Sequence, residues 1–192
     1  MPLLDQTLFL VLNANPDTTP LILLLARGAS LGAAPGLLLL LATSMVVTPH
    51  QRRKTLLVFL LALLLAWCAV RGVRLWIPFP RPAQLGLGIQ WLTQGPRPGF
   101  PSMHAATAFA AAGTLVPGGR WSVSCAAFLF AAMVGWSRIC LGLHFPSDVG
   151  VGVLIGLVSA TVACLLQPLA IRWLDKSSAY WSRQARPWAR HR

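Results

Sequence analysis

Long apolar stretches with almost no charge recur along this chain, and they constrain its fold more than any other feature. Of its 192 residues, 56% are hydrophobic and only 10% are charged, whereas a soluble domain usually carries about 25% charged residues. A spanning helix needs about 20 mostly apolar residues. The sequence therefore predicts an all-α integral membrane protein, a helical bundle that forms a single membrane domain over residues 1–192.

Five spanning helices are predicted from the apolar stretches and the polar segments between them. Residues 1–19 contain an apolar stretch too short to cross, which predicts a short interfacial helix. The core of the bundle is predicted over residues 20–171. Its spans cover about 20–47, 55–77, 102–116, 121–141 and 148–171. Residues 78–101 hold six prolines, which forbid a regular helix there.

Positive charge is distributed unevenly between the two ends of the predicted bundle. Much of the net charge of +12 lies in the segment 48–54, the turn 117–120 and the tail 172–192. Lysine and arginine accumulate on the cytoplasmic side of membrane proteins, and five spans place all three segments on one face. We therefore expect a basic cytoplasmic tail and an outer face formed by 78–101 and 142–147. Charge beside apolar spans favours membrane lipids as partners and argues against nucleic acid.

Polar and ionisable side chains converge on the predicted outer face, where charge near the membrane is costly and usually functional. They are Arg74, Arg81, Ser102, His104, Arg138, His144 and Asp148. Clustered arginines match phosphate oxygens, and a helix that begins near Ser102 directs backbone N–H groups at an anion. Two histidines supply a nucleophile and a general acid. Asp148 follows His144 by four positions, close enough to orient its ring, so the pattern predicts phosphoryl transfer through a phosphohistidine.

A metal-dependent reaction fits these residues less well. Two-metal phosphatases need several oxygen or nitrogen ligands around paired ions, and the chain has only four acidic residues. Of these, Asp5 and Asp17 lie far from the cluster in sequence, and Asp175 falls on the predicted opposite face. We therefore expect neither a metal nor a cofactor.

The order and spacing of the polar residues resemble the three motifs of the type-2 phosphatidic acid phosphatase superfamily. Those motifs are lysine, six residues and Arg-Pro; Pro-Ser-Gly-His; and Ser-Arg, five residues, His, three residues and Asp. This chain has Arg74, six residues and Arg81-Pro82; Pro101-Ser102-Met103-His104; and Ser137-Arg138, five residues, His144, three residues and Asp148. Arg74 stands where the family has lysine, and Met103 stands where it has glycine.

The resemblance implies a role for each matching residue. His144 is expected to be the nucleophile, with Asp148 orienting it and His104 protonating the leaving oxygen. The expected phosphate-binding groups are the side chains of Arg74, Arg81, Ser102 and Arg138 and the backbone N–H of Met103 or His104. A methionine in place of glycine is expected to alter the loop or to cover the pocket with an apolar side chain.

Short outer loops leave little protein to hold a large soluble substrate, so a lipid phosphate is the expected substrate. The chain is similar to small bacterial members of the family that convert undecaprenyl diphosphate to undecaprenyl phosphate, which implies an inner-membrane enzyme with an outward-facing site. Three alternatives stay open: a phosphatidic acid or phosphatidylglycerol phosphate phosphatase, a lipid A phosphatase or phosphotransferase, and a non-catalytic phospholipid-binding or transport protein. The oligomeric state is open as well.

Several further residues keep two interpretations each. Arg97 contacts a second phosphate or is a solvated loop charge, and Arg27 contacts substrate or extends its charged end to the membrane surface. Four aromatic residues either line a lipid entrance or belong to an interfacial belt: Trp76, Phe79, Trp91 and Phe100.

Overall fold

The computed structural model describes residues 3–47, 52–95, 97–118 and 121–185, and within these ranges its regular structure is helical without strands. The α-helices are α1 (Leu3–Leu12), α2 (Pro20–Leu31), α3 (Ala33–Val47), α4 (Arg52–Trp76), α5 (Met103–Gly113), α6 (Trp121–Cys140) and α7 (Pro146–Ala185). Short 3₁₀ turns lie at Pro82–Leu85 and Val116–Gly118. The prediction of an all-α bundle is confirmed.

Three helices in the described ranges are long and apolar enough to cross a membrane: Arg53–Trp76, Trp121–Cys140 and Pro146–Arg172. The first predicted span is helical but broken, because Pro20–Leu31 and Ala33–Thr43 meet at an angle of 63°. The break has a local cause, since Pro35 has no N–H to donate to the carbonyl of Leu31. If the bent pair counts as one span, the described ranges contain four, where the sequence predicted about five.

The third predicted span, 102–116, contains only the 11-residue helix α5. At a rise of 1.5 Å per residue, such a helix is about 16 Å long, which is shorter than the apolar thickness of roughly 30 Å that a bilayer presents. Helix α5 nevertheless occupies a central position, because it packs against α4, α6 and α7.

Small residues allow α5 and α7 to approach closely. Six alanines of α5 are buried: Ala105, Ala106, Ala108, Ala110, Ala111 and Ala112. On α7, a Cβ atom added at Gly152 would lie 2.7 Å from the carbonyl oxygen of Ser102, and one at Gly156 would lie 2.5 Å from that of Ala106. Helices in membranes use such small residues for close contact. This packing holds the first turn of α5 next to the first turn of α7.

Helix α1 confirms the prediction of a short N-terminal helix, although one of its faces packs against the bundle. Asp5 and Phe9 are buried, whereas Leu3, Leu4 and Val11 are exposed. Asp5 and Phe9 therefore face the bundle, whereas Leu3, Leu4 and Val11 face outward, where apolar side chains suit a lipid environment.

Helix α7 extends beyond the predicted end of the fifth span, because it continues without interruption to Ala185. The first part of the predicted tail is thus a continuation of the spanning helix. Residues 48–51, 119–120 and 186–192, which belong to the predicted basic loop, turn and tail, lie outside the described residues.

Candidate active site

A cavity of about 640 Å³ lies at the end of the bundle where α4 ends and α5 begins. Five of the eight predicted site residues line it: Arg74, Arg81, Met103, His104 and His144. The other three are buried and do not line it: Ser102, Arg138 and Asp148. The structure therefore brings the predicted cluster to one place, with part of it on the wall and part behind it.

His144 and Asp148 form a hydrogen-bonded pair at the start of α7. Imidazole Nδ1 lies 3.2 Å from carboxylate Oδ2, and both side chains are almost completely buried. The same Oδ2 accepts a hydrogen bond of 3.0 Å from the backbone N–H of Phe145. A carboxylate that accepts the Nδ1 proton selects the tautomer in which Nε2 carries a free lone pair.

The loop that carries His144 is held by backbone contacts from two directions. The N–H groups of Leu143 and His144 donate to the carbonyl of Arg138 at 2.9 and 3.2 Å. Gly142 has a φ of +74°, and a Cβ atom added there would lie 2.1 Å from the carbonyl oxygen of Ile89. Only glycine fits such a position, so the loop is fixed between the end of α6 and the long outer loop.

Arg81 places its guanidinium beside Nε2 of His144. Its Nη1 lies 3.4 Å from Nε2 of His144 and donates to the carbonyl of Leu143 at 2.9 Å. Its Nε donates to the carbonyl of Arg97 at 2.9 Å, and Nη1 also contacts the amide oxygen of Gln94. A phosphate that approaches Nε2 would therefore meet this positive charge directly.

Arg74 and Arg138 retain buried N–H groups that have no hydrogen-bond partner in the described part of the chain. Nη2 of Arg74 donates to the carbonyl of Pro101 at 2.8 Å, but its Nε is unpaired. Nη1 of Arg138 donates to the hydroxyl of Ser30, while its Nε and Nη2 are unpaired. Buried unpaired donors cost stability, and phosphate oxygens are acceptors that would satisfy them.

Ser102 is the N-terminal cap of α5, a role that the sequence did not assign to it. Its hydroxyl accepts a hydrogen bond of 3.5 Å from the N–H of Ala105, and its own N–H donates to the backbone carbonyl of Asp148 at 2.9 Å. Contact between Ser102 and phosphate stays a prediction. The next residue, Met103, lines the cavity, so an apolar side chain occupies the wall where the family has glycine.

Both histidines lie in surroundings that disfavour their charged forms. Burial is the largest cause for His104, on the short helix α5, and the positive charge of Arg138 adds to it, which lowers its pKa to about 4. Burial and the nearby Arg81 hold the pKa of His144 well below its usual range. His144 is therefore neutral at neutral pH, as a nucleophile must be, whereas His104 needs a nearby anion to retain a proton.

Sequence reasoning missed part of the cavity wall. Arg71 and Trp67 line it, with the guanidinium carbon 5.7 Å from the centroid of the indole ring. Gln94 also lines it, as does Arg97, for which the sequence left two interpretations. The spacing of Trp67, Arg71 and Arg74 places them on one face of α4, a signal that the sequence contained.

Asp5 lies far from the cluster in sequence, but the fold brings it next to the segment that carries His144 and Asp148. Its carboxylate accepts hydrogen bonds from the N–H and the hydroxyl of Ser147, at 2.9 and 2.6 Å. Ser147 is the neighbour of Asp148. An acidic residue of α1 is thus one residue away from the His144–Asp148 pair.

The four aromatic candidates do not line the cavity. The indole N–H of Trp91 donates to the carbonyl of Ala14 at 2.9 Å, and the rings of Phe79 and Phe100 are in edge contact at 5.5 Å. No group of three His, Cys, Asp or Glu side chains within the described ranges is arranged to hold a metal ion. The expectation of a metal-free reaction stays a prediction.

Two solved structures are similar to this chain. The crystal structure of LpxE from Aquifex aeolicus has a TM-score of 0.69 and 30% sequence identity, and the match covers 84% of this chain and 94% of LpxE. A transmembrane PAP2-type phosphatidylglycerolphosphate phosphatase from Bacillus subtilis has a TM-score of 0.62 and 20% identity, with 86% and 83% covered. The second match shows a common fold alone.

Sequence comparison identifies the family. YbjG of Escherichia coli (strain K12), described as a candidate undecaprenyl-diphosphatase, is 32% identical over 90 residues, which are 46% of this chain and 45% of YbjG. The match therefore spans a little less than half of that relative. Residues 55–172 match the family model of the PAP2 superfamily, and this range contains all three motifs. PAP2 family phosphatases hydrolyse phosphate ester bonds of lipids. This membrane protein belongs to the PAP2 superfamily.

Proposed function

We propose that this protein is a metal-independent lipid phosphatase that works through a phosphohistidine on His144, with undecaprenyl diphosphate as its preferred substrate. The observation that carries the reaction class is the pair formed by His144 and Asp148, 3.2 Å apart and buried beside an arginine-lined cavity. A binding protein would need the arginines but not an oriented imidazole.

In the first step, the Nε2 lone pair of His144 attacks the terminal phosphorus of the diphosphate. An N–P bond forms and the bond from phosphorus to the bridging oxygen breaks, so the electron pair leaves with the lipid monophosphate. His104 donates a proton to that oxygen. Asp148 stabilises the positive charge that develops on the imidazole ring.

In the second step, water attacks the phosphorus of the phosphohistidine. The N–P bond breaks, the electron pair returns to Nε2, and His104, now neutral, accepts a proton from the water. Orthophosphate leaves and the site returns to its starting state. Arg74 and Arg81 hold the phosphoryl oxygens in both steps, and Arg138 adds positive charge from behind the wall, so that preorganised charge stabilises the transition state.

Protonation of His104 depends on the substrate. The arginines and burial lower its pKa to about 4 in the free enzyme, but a bound phosphate brings negative charge that opposes this effect. His104 therefore acquires its proton as the anion binds.

The name of YbjG supports undecaprenyl diphosphate as the substrate, together with the resemblance of the motifs. A phosphatidylglycerol phosphate phosphatase is a second candidate, which rests on the resemblance of the motifs. A phosphatidic acid phosphatase and a lipid A phosphatase or phosphotransferase are further alternatives. Parallel assays on these lipids separate the candidates.

The proposed location is the bacterial inner membrane, with the cavity on the outer side. The charge pattern supports this orientation. Arg53 and Lys54 lie at the end of α4 opposite to Arg74 and the cavity, and basic residues favour the cytoplasmic side. A reporter that is active only outside the cytoplasm, fused after residue 90, should be active. A stable but inactive fusion would contradict this orientation.

The decisive experiment measures phosphate release by purified protein in detergent with excess chelator. Undecaprenyl diphosphate, phosphatidic acid and phosphatidylglycerol phosphate are assayed in parallel with wild type and His144→Ala. We expect release that persists with chelator, disappears in the variant and is fastest with undecaprenyl diphosphate. Activity that His144→Ala retains would contradict the mechanism, and a faster phospholipid would replace the proposed substrate.

A further inference from the structure

We infer that Arg71, together with Arg97, forms a second phosphate subsite that holds the phosphate next to the lipid tail. This inference rests on the proposed phosphatase function and specifies its substrate class: lipid diphosphates rather than monophosphates. Arg74, Arg81 and His144 receive the terminal phosphate, Arg71 receives the inner one, and Trp67 lies beside the start of the tail.

Three cavity-lining residues of α4 form a line that leads from the reacting centre toward the membrane interior. Trp67, Arg71 and Arg74 are spaced four and three residues apart, so they lie on one face of the helix. A rise of 1.5 Å per residue places Arg71 about 4.5 Å deeper than Arg74, and Trp67 about 6 Å deeper again. The line matches the order of groups in a lipid diphosphate: terminal phosphate, inner phosphate, tail.

The orientation of Arg71 supports a ligand role. An arginine near the end of a spanning helix usually extends its charged group toward water, and α4 ends five residues later at Trp76. The guanidinium of Arg71 instead lies near the ring of Trp67, with 5.7 Å between its carbon and the ring centroid. It therefore lies beside Trp67 in the wall of the cavity, where the inner phosphate would lie.

The charge of the cavity exceeds what one phosphate requires. Four arginines line it, namely Arg71, Arg74, Arg81 and Arg97, and no acidic residue does so in the described part of the chain. Like charges this close repel each other, so a ligand with two phosphates compensates them better than a ligand with one. The backbone carbonyl of Arg97 accepts a hydrogen bond from Arg81, which ties the second subsite to the first.

The test compares two ligands with the same tail and different headgroups, farnesyl diphosphate and farnesyl monophosphate. Equilibrium binding of each is measured in detergent to the His144→Ala protein, which prevents turnover, and to the same protein with Arg71→Gln. We expect Arg71→Gln to weaken diphosphate binding about tenfold, because a charge-assisted hydrogen bond is lost. Monophosphate binding should change less than about twofold.

Matched variants control the comparison. Arg27→Gln removes another exposed arginine from a predicted span and lies outside the cavity, so it should leave both affinities unchanged. Arg97→Gln should reproduce the selective loss, and Arg71→Lys should restore part of it because the charge is kept. Equal weakening for both ligands, no weakening for either, or no binding of either would overturn the second subsite.

The readout distinguishes this inference from the proposed function. If wild-type enzyme fails to hydrolyse undecaprenyl diphosphate but Arg71→Gln selectively weakens farnesyl diphosphate binding, the subsite stands and the proposed substrate fails. If the enzyme hydrolyses undecaprenyl diphosphate and Arg71→Gln shows no selectivity, the proposed function stands and the subsite is wrong.

Discussion

Asp5 and Ser147 lie 142 positions apart in sequence and are joined by two hydrogen bonds, of 2.9 and 2.6 Å. The carboxylate accepts from the first turn of α7, where the helix dipole favours negative charge. Phe9, one helical turn after Asp5, contacts the ring of Phe145 at 5.3 Å between centroids. Helix α1 thus contacts two residues, Phe145 and Ser147, that lie between His144 and Asp148 in sequence.

Replacement of Asp5 by asparagine should weaken this attachment. We expect the free energy of unfolding to fall by about 1–3 kcal/mol, because the amide has one acceptor oxygen instead of two and lacks the negative charge, and kcat to fall with little change in KM. Chemical unfolding in detergent and steady-state kinetics measure both. Asp17→Asn, at an exposed position, is the control. If Asp5→Asn has the same free energy of unfolding and the same kcat as this control, α1 does not position the His144–Asp148 pair.

Replacement of Asp148 by asparagine tests how the imidazole is oriented. An amide can present an N–H to Nδ1, which would select the wrong tautomer and remove the charge that stabilises the phosphohistidine. We expect kcat to fall by about 10³- to 10⁴-fold, as in other enzymes that lose the carboxylate behind a catalytic histidine. A loss below about tenfold would contradict this role, provided that the variant unfolds at the same denaturant concentration as wild type.

The pH dependence of the reaction should show that His104 becomes protonated when the substrate binds. The pKa of His104 is lowered to about 4 in the free enzyme, chiefly by burial and then by arginine charge, and bound phosphate should raise it. Since kcat/KM reports the free enzyme and kcat the complex, the alkaline limb of kcat should lie at higher pH than that of kcat/KM. In the residual activity of His104→Gln, the difference in pH between the alkaline limbs of kcat and kcat/KM should disappear. If the two limbs lie at the same pH in the wild type, the proposal for His104 is wrong.

Glycine at position 142 should be essential for the loop that carries His144. Alanine there would require a φ near +74° and would place Cβ 2.1 Å from the carbonyl oxygen of Ile89. We expect Gly142→Ala to reduce the free energy of unfolding by more than about 1 kcal/mol and to reduce activity with it. Gly150→Ala, where an added Cβ meets nothing within 4 Å, is the matched control and should be neutral or stabilising. Equal stability of the two variants would contradict this account.

The motif residues and the reaction class could be predicted from the sequence. Arg74, Arg81, His104 and His144 lie at the ends of apolar stretches, and in a bundle of crossing helices such ends meet at the membrane surface. The structure places all four on one cavity wall. The number of complete spans could not be predicted in the same way, because an apolar run does not show that Pro35 breaks its helix or that α5 ends at Gly113.

The sequence by itself determined an all-helical membrane protein and predicted a cluster typical of phosphoryl transfer, because apolar length and the spacing of chemical groups are local properties. Tertiary structure decided which faces of the helices line the cavity. It added Arg71, brought Asp5 to Ser147, and placed Ser102 and Arg138 behind the wall. The physical reason is that the lipid-facing and buried sides of a membrane helix are both apolar, so periodicity does not reveal rotation about the helix axis. Contacts between distant segments determine it.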